Sequence, residues 1–201
     1  MFGVAGIFFG LLVGWIIGSQ QAPVATPAPA TQVAASGAAP AQSAPALDEA
    51  RVAALRKTAE QSPQDAAVRI ELANLYFDSE RYTDAVRWYE DAVRIDPRNV
   101  NASTDLGISY YYTNQADRAL TQFRRSLEVD PKHSKTLLNV GIVLAFGKQD
   151  LEGAAKAFQQ VIEVAPGSVE ARAARQALDG IRSAHPDVPG GATAKPPGTQ
   201  G

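Results

Sequence analysis

Apolar and polar residues alternate along most of this chain with the period of an α-helix. In "TDAVRWYEDAVRIDP" the residues Ala85, Tyr89, Ala92 and Val93 recur at i, i+4, i+7 and i+8, a stripe that one helix face would bury. The pattern returns in "QADRALTQFRRSLEVDP" and "LEGAAKAFQQVIEVAP". Each run closes on proline, which cannot continue the helical hydrogen-bond ladder. Ahead of each lies a second stripe: Leu72, Ala73 and Tyr76, then Leu106, Gly107 and Tyr110, then Val140, Gly141 and Leu144. The small residue in each predicts that the two helices of a pair approach closely. The pattern therefore predicts three helix pairs, over about 66–99, 100–133 and 134–168.

Two flanking stretches complete the periodic region. Residues 47–62 carry Asp48 and Glu49 at their start and lead to Pro63. Residues 169–184 place Val169, Ala173, Ala177 and Ile181 on an expected inner face, with Glu170, Arg172, Arg175 and Arg182 outside. The expected class is all-α, with about eight helices between Leu47 and Ala184.

The N-terminal pattern is different. "MFGVAGIFFGLLVGWIIG", Met1–Gly18, has no charged side chain, and as a helix it would span roughly 27 Å, enough for a hydrocarbon core. It lacks the basic start and small-residue edge of a cleaved signal peptide, which predicts one uncleaved transmembrane helix. Gly6, Gly10, Gly14 and Gly18 form a stripe suited to close packing between membrane helices. No Lys or Arg precedes Arg51, so the α-amino group alone sets the orientation. It predicts a single-pass inner-membrane protein with its folded region on the extracytoplasmic side. Residues 19–46 and 185–201, rich in Ala, Pro, Gly, Ser and Thr, are too poor in large apolar side chains to build a core, so a disordered linker and tail are expected.

The spacing of the pairs is regular. Pro63, Pro97 and Pro131 lie 34 residues apart and Pro166 follows after 35. A small residue stands three places ahead of an aromatic or leucine at Ala73/Tyr76, Gly107/Tyr110 and Gly141/Leu144, and Ala85/Tyr89, Ala119/Phe123 and Ala154/Phe158 fit A-x-x-x-[FY]. This resembles the tetratricopeptide repeat, three tandem units of which cover Ala66 to about Ser168. The resemblance implies an α-solenoid of three helix-turn-helix repeats with 47–62 and 169–184 as capping helices, preceded here by the transmembrane helix. There are departures. The tryptophan slot holds Arg69, Ser103 and Leu137. The extra residue of "FGKQDLEG" is expected in the loop between the third pair, and Val161, in place of a small residue, predicts a wider third pair.

In such a solenoid the first helices line a concave groove. The resemblance places Ile70, Asn74, Phe77 and Asp78 of the first repeat there, with Asp105, Ile108, Tyr111 and Tyr112 of the second. Lys135, Leu138, Asn139, Ile142 and Phe146 follow from the third. In "SYYYTNQ", Tyr110 takes the core slot of Tyr76, and Tyr111 serves packing between repeats, as Phe77 does. Tyr112 is placed in the groove with no structural duty, and Phe146 occupies the same slot in the third repeat. Chaperone-binding relatives grip a C-terminal carboxylate with five Lys, Arg and Asn residues, of which only Asn74 and Lys135 match. An apolar, aromatic groove suits an amphipathic helix or extended peptide of another protein instead. The alternative is that flanking segments of the same chain, or a second copy, cover it.

Composition narrows the rest. Net charge is −2 with interleaved signs, which gives no basic footprint for nucleic acid. Cysteine is absent, and His133 and His185 have no neighbours at metal-ligand spacing. No phosphate loop or nucleophile elbow is present, so no catalytic residue, cofactor or metal is expected. The sequence predicts a membrane-tethered adaptor in assembly of a cell-envelope complex. The competing reading is a homo-oligomeric scaffold held by the glycine stripe and the solenoid.

Overall fold

The computed structural model describes residues 44–185. The expected membrane anchor, and nearly all of the linker and tail, lie outside them. No helix among the described residues is long and apolar enough to cross a membrane. Eight α-helices and no strand occur in this region: α1 (Glu49–Gln61), α2 (Ala66–Asp78), α3 (Tyr82–Ile95), α4 (Val100–Tyr112), α5 (Ala116–Val129), α6 (Ser134–Ile142), α7 (Leu151–Val164) and α8 (Val169–Ala184). Helix α2 packs on α3, α4 on α5 and α6 on α7, and each pair leans on the next through α3 with α4 and α5 with α6. Helix α1 covers α2 at one end, and α8 covers α7 at the other.

Local chemistry sets the boundaries. Helices α2, α4 and α8 begin where Asp65, Asn99 and Ser168 accept hydrogen bonds from exposed first-turn amides. Helices α3, α5 and α7 begin after a tight turn that puts Glu80, Asn114 and Gln149 at φ of 57°, 65° and 57°. The second and third pairs each close on one ring. A Cβ added to Gly107 would stand 2.3 Å from Phe123 Cε1, and one on Gly141 2.4 Å from Phe158 Cε1. The third pair is thus as close as the second, contrary to expectation. Val161 is fully buried in the second core cluster and does not spread the helices.

The extra residue of the third repeat is not in the loop. Helix α6 runs into a π-helical turn, Val143–Gly147, which takes it up. Arg81 N donates to Tyr76 O and Gln115 N to Tyr110 O, but the equivalent bond runs from Asp150 N to Leu144 O, one residue longer. A π turn is how a helix absorbs a single insertion without losing its ladder.

Helix α8 also differs in register. Its buried residues are Ala171, Ala174 and Leu178, with Ala177 and Ile181 packed beside them, while Val169 is 54% exposed. The expected stripe stepped by four residues, which drifts about 40° per step on a helix of 3.6 residues per turn. The observed stripe follows the helix.

Two apolar clusters fill the stack. One runs from Val52 to Phe123 and takes in Val143, and the other spans α6 to α8. Buried polar groups occupy the second repeat and its joint with the third. Ser103, in the tryptophan slot, accepts from Gln122 Nε2 at 2.7 Å and from Ser126 Oγ at 2.7 Å. Thr104 and Thr136 hydroxyls meet at 2.6 Å, and His133 lies between Thr136 and Asn101. No buried side-chain polar atom among the described residues lacks a partner, so this joint trades apolar contact for saturated hydrogen bonding.

Candidate functional site

The candidate face is carried by α2, α4 and α6, which follow one another along the stack. Four aliphatic side chains form its strip: Ile70 and Ile108 pack half-buried against the first cluster, Leu138 and Ile142 against the second. Between them the polar groups are tied to one another. Asp105 receives Lys135 Nζ at 2.5 Å, across α4 and α6. Asn74 is exposed, and its Oδ1 accepts the Tyr89 hydroxyl at 2.5 Å. Burial first, and then the charges of Asp105 and Asp78, push the Tyr89 phenol well above its ordinary range, so it stays a neutral donor. Asn139 turns back along its own helix and donates to Lys135 O at 2.8 Å. Asp78 is exposed at the end of α2.

The aromatic residues depart from expectation. Tyr112 is stacked on Tyr82 at 4.3 Å between centroids and 9° between planes. Phe77 meets both edge-on, at 5.2 Å to Tyr82 and 5.9 Å to Tyr112, and Tyr111 tilts against Tyr112 at 6.0 Å. Tyr112 therefore joins the first repeat to the second, and the free role expected for it is corrected. Burial is the main cause that pushes its phenol up to about 12.

Phe146 is not its counterpart. The π turn shifts the end of α6 by one position, and Gly147 takes the place of Tyr112. A Cβ on Gly147 would stand 3.1 Å from Ala116 Cβ, and Ala116 holds in α5 the position of Tyr82 in α3. A large pair in one joint is replaced by a small pair in the next. Phe146 instead emerges 50% exposed from the π turn. Tyr82 was missed by sequence reasoning, which looked for groove residues only on first helices. Its matched exchange with Ala116, beside that of Tyr112 with Gly147, was the signal available.

The stack makes Tyr112→Ala a structural change. It should cost about 1–2 kcal/mol from three lost aromatic contacts and their buried area, whereas Phe146→Ala should leave the thermal midpoint near the parent's. Melting curves for both variants check this, and equal midpoints for Tyr112→Ala and the parent would remove the stack's structural role.

No three His, Asp or Glu side chains among the described residues come together to hold a metal ion. A shallow pocket of about 520 Å³ adjoins the stack and is lined by Glu80, Arg81, Asp84, Thr113 and Asn114 with both rings. Arg81 in it is already paired with Asp84 and Glu49.

Tandem helix-turn-helix units stacked in this way define an α-solenoid of repeats. Comparison with known proteins identifies the repeat. The family description "TPR repeat" matches residues 73–113 and "Tetratricopeptide repeat" matches 104–169. Residues 73–169 are tetratricopeptide repeats. The chain is 29% identical over 112 residues to human Protein O-mannosyl-transferase TMTC3, covering 56% of this chain but only 12% of that protein. The crystal structure of MamA superposes with a TM-score of 0.60 at 18% identity, over 66% of this chain and 75% of that one. The first TPR of Spaghetti (RPAP3), bound to the HSP90 peptide SRMEEVD, superposes with a TM-score of 0.55 at 26% identity, over 60% and 93%.

Proposed function

We propose that this protein is a non-enzymatic adaptor whose α2–α4–α6 face captures a peptide or helix of another protein. The observation that carries this is the aliphatic strip Ile70, Ile108, Leu138 and Ile142, left half-buried across three consecutive repeats. A fold neighbour that holds a bound peptide supports the reading. The uncharged apolar start Met1–Gly18 supports a tether to the inner membrane, with the repeats on the extracytoplasmic side serving assembly of an envelope complex. Phe146, half-exposed at the end of the strip, is the anchor to test. Crosslinking pulldown from native membranes should recover a partner with the parent chain, and Phe146→Ala should weaken capture by about 2 kcal/mol, the scale of an aromatic anchor. Recovery of the same proteins at the same yield by both chains would defeat the reading. A parent chain recovering only copies of itself would favour the homo-oligomeric scaffold.

A further inference from the structure

The sign of charge on this face says what kind of segment fits it. Glu71 and Asp78 come from α2 and Asp105 from α4, while Glu170 of α8 holds the register position of Lys135. Two cations answer them, and each is already engaged. Arg51 reaches from α1 to Glu71 at 2.5 Å, and Lys135 holds Asp105 at 2.5 Å. Asp78 and Glu170 have no salt-bridge partner among the described residues. The charges of Asp105 and Asp78 both raise the Tyr89 phenol from its ordinary range. The face is therefore aliphatic along its strip and acidic beside it.

An acidic tail would meet the wrong field. Lys135 Nζ, the one cation on this face that a carboxylate would need, already holds Asp105 at 2.5 Å. Such a ligand would have to share a cation that Asp105 already neutralises and lie beside the negative charge of Asp78. A segment with apolar residues on one side and Lys or Arg on the other meets neither obstacle. Its apolar side covers the strip, and its cations find carboxylates that hold no partner. Asn74 Oδ1 is occupied by Tyr89, which leaves its Nδ2 donors for a backbone carbonyl of that segment.

We propose that the α2–α4–α6 face docks an amphipathic protein segment whose polar side is basic, in contrast to an acidic C-terminal tail. This rests on the peptide-capture reading above and names the partner's chemistry. Exposed pairs of this kind add modest affinity each, but complementary fields speed encounter and reject the wrong sign.

The test uses the full chain and three labelled probes read by fluorescence anisotropy. Two are helical peptides with the same leucine stripe and either lysine or glutamate at every polar position, and the third is SRMEEVD. The lysine peptide should bind at least about ten-fold tighter than the glutamate peptide, with the margin shrinking as salt screens the charges. Asp78→Asn should reduce that margin. Glu128→Gln, which changes net charge equally on the exposed side of α5, should leave it unchanged. Equal or tighter binding of the glutamate peptide or SRMEEVD overturns the basic-partner inference and leaves the capture reading standing. Equal loss from Asp78→Asn and Glu128→Gln overturns it too, because the attraction would then belong to the whole protein. If none of the probes binds, the capture reading itself fails and takes this inference with it.

Discussion

Gly107→Leu is expected to destabilise the domain by about 1–3 kcal/mol or more, as overpacked cores do. The cause is visible at the first atom of the side chain. A Cβ at this position would stand 2.3 Å from Phe123 Cε1 and 2.6 Å from Cδ1. Phe123 is fully buried, so its ring has no free space into which to retreat. Leucine's better helix propensity returns only about 1 kcal/mol and cannot offset the clash. Even Gly107→Ala should destabilise, although alanine is the stronger helix former. Shrinking the ring in the same chain, Gly107→Ala with Phe123→Leu, should recover part of the loss. The two positions are in contact and their effects should not add. Chemical denaturation of the single and double variants checks the coupling. A Gly107→Ala protein as stable as the parent would mean that α4 and α5 are not in this register.

That register was legible because small and aromatic residues recur at fixed offsets, and Gly107 with Phe123 or Gly141 with Phe158 satisfy them wherever the chain is read. Departures arose where spacing and geometry part company. Counting from Pro131 to Pro166 shows one extra residue but not its place. A loop and a π turn give the same count, and only the longer Asp150–Leu144 bond tells them apart. The misplaced residue carried Phe146 into the slot that Gly147 holds. Tyr112 looked free because its partner, Tyr82, sits on a second helix of the preceding repeat, beyond the reach of any pattern along one helix. The candidate face was legible as a set of positions. Its closed pairings, Lys135 with Asp105 and Tyr89 with Asn74, depend on side-chain reach between helices and were not.

The first tyrosine of "SYYYTNQ" answers to the repeat core, and Tyr110→Ala should cost about 3–5 kcal/mol, the range for deleting a buried aromatic side chain. Its ring is 6% exposed, inside the first cluster, with the Arg118 guanidinium 4.0 Å from its centroid. Its hydroxyl donates to Glu90 Oε1 at 2.6 Å and accepts from Arg118 Nη2 at 2.8 Å, which ties α4 to both α3 and α5. Tyr110→Phe keeps the ring and should lose only about 0.5–1.5 kcal/mol, since Arg118 still reaches Glu90 directly at 2.8 Å. The two substitutions also separate by pH. Burial, then the hydrogen bond to Glu90 and the charge of Glu90, push the Tyr110 phenol up to about 12, against the opposing pull of Arg118 and Arg125. A raised phenol favours the folded state while it stays protonated, so this contribution is intact below about pH 10, the free tyrosine value, and is lost as pH climbs through about 12. Parent protein should therefore weaken across that window, and Tyr110→Phe should weaken less steeply because it has no proton there to lose. Denaturation midpoints from pH 8 to 12 give both readings. A Tyr110→Ala variant within about 1 kcal/mol of the parent at neutral pH would place the ring outside the core and undo the repeat assignment at its centre.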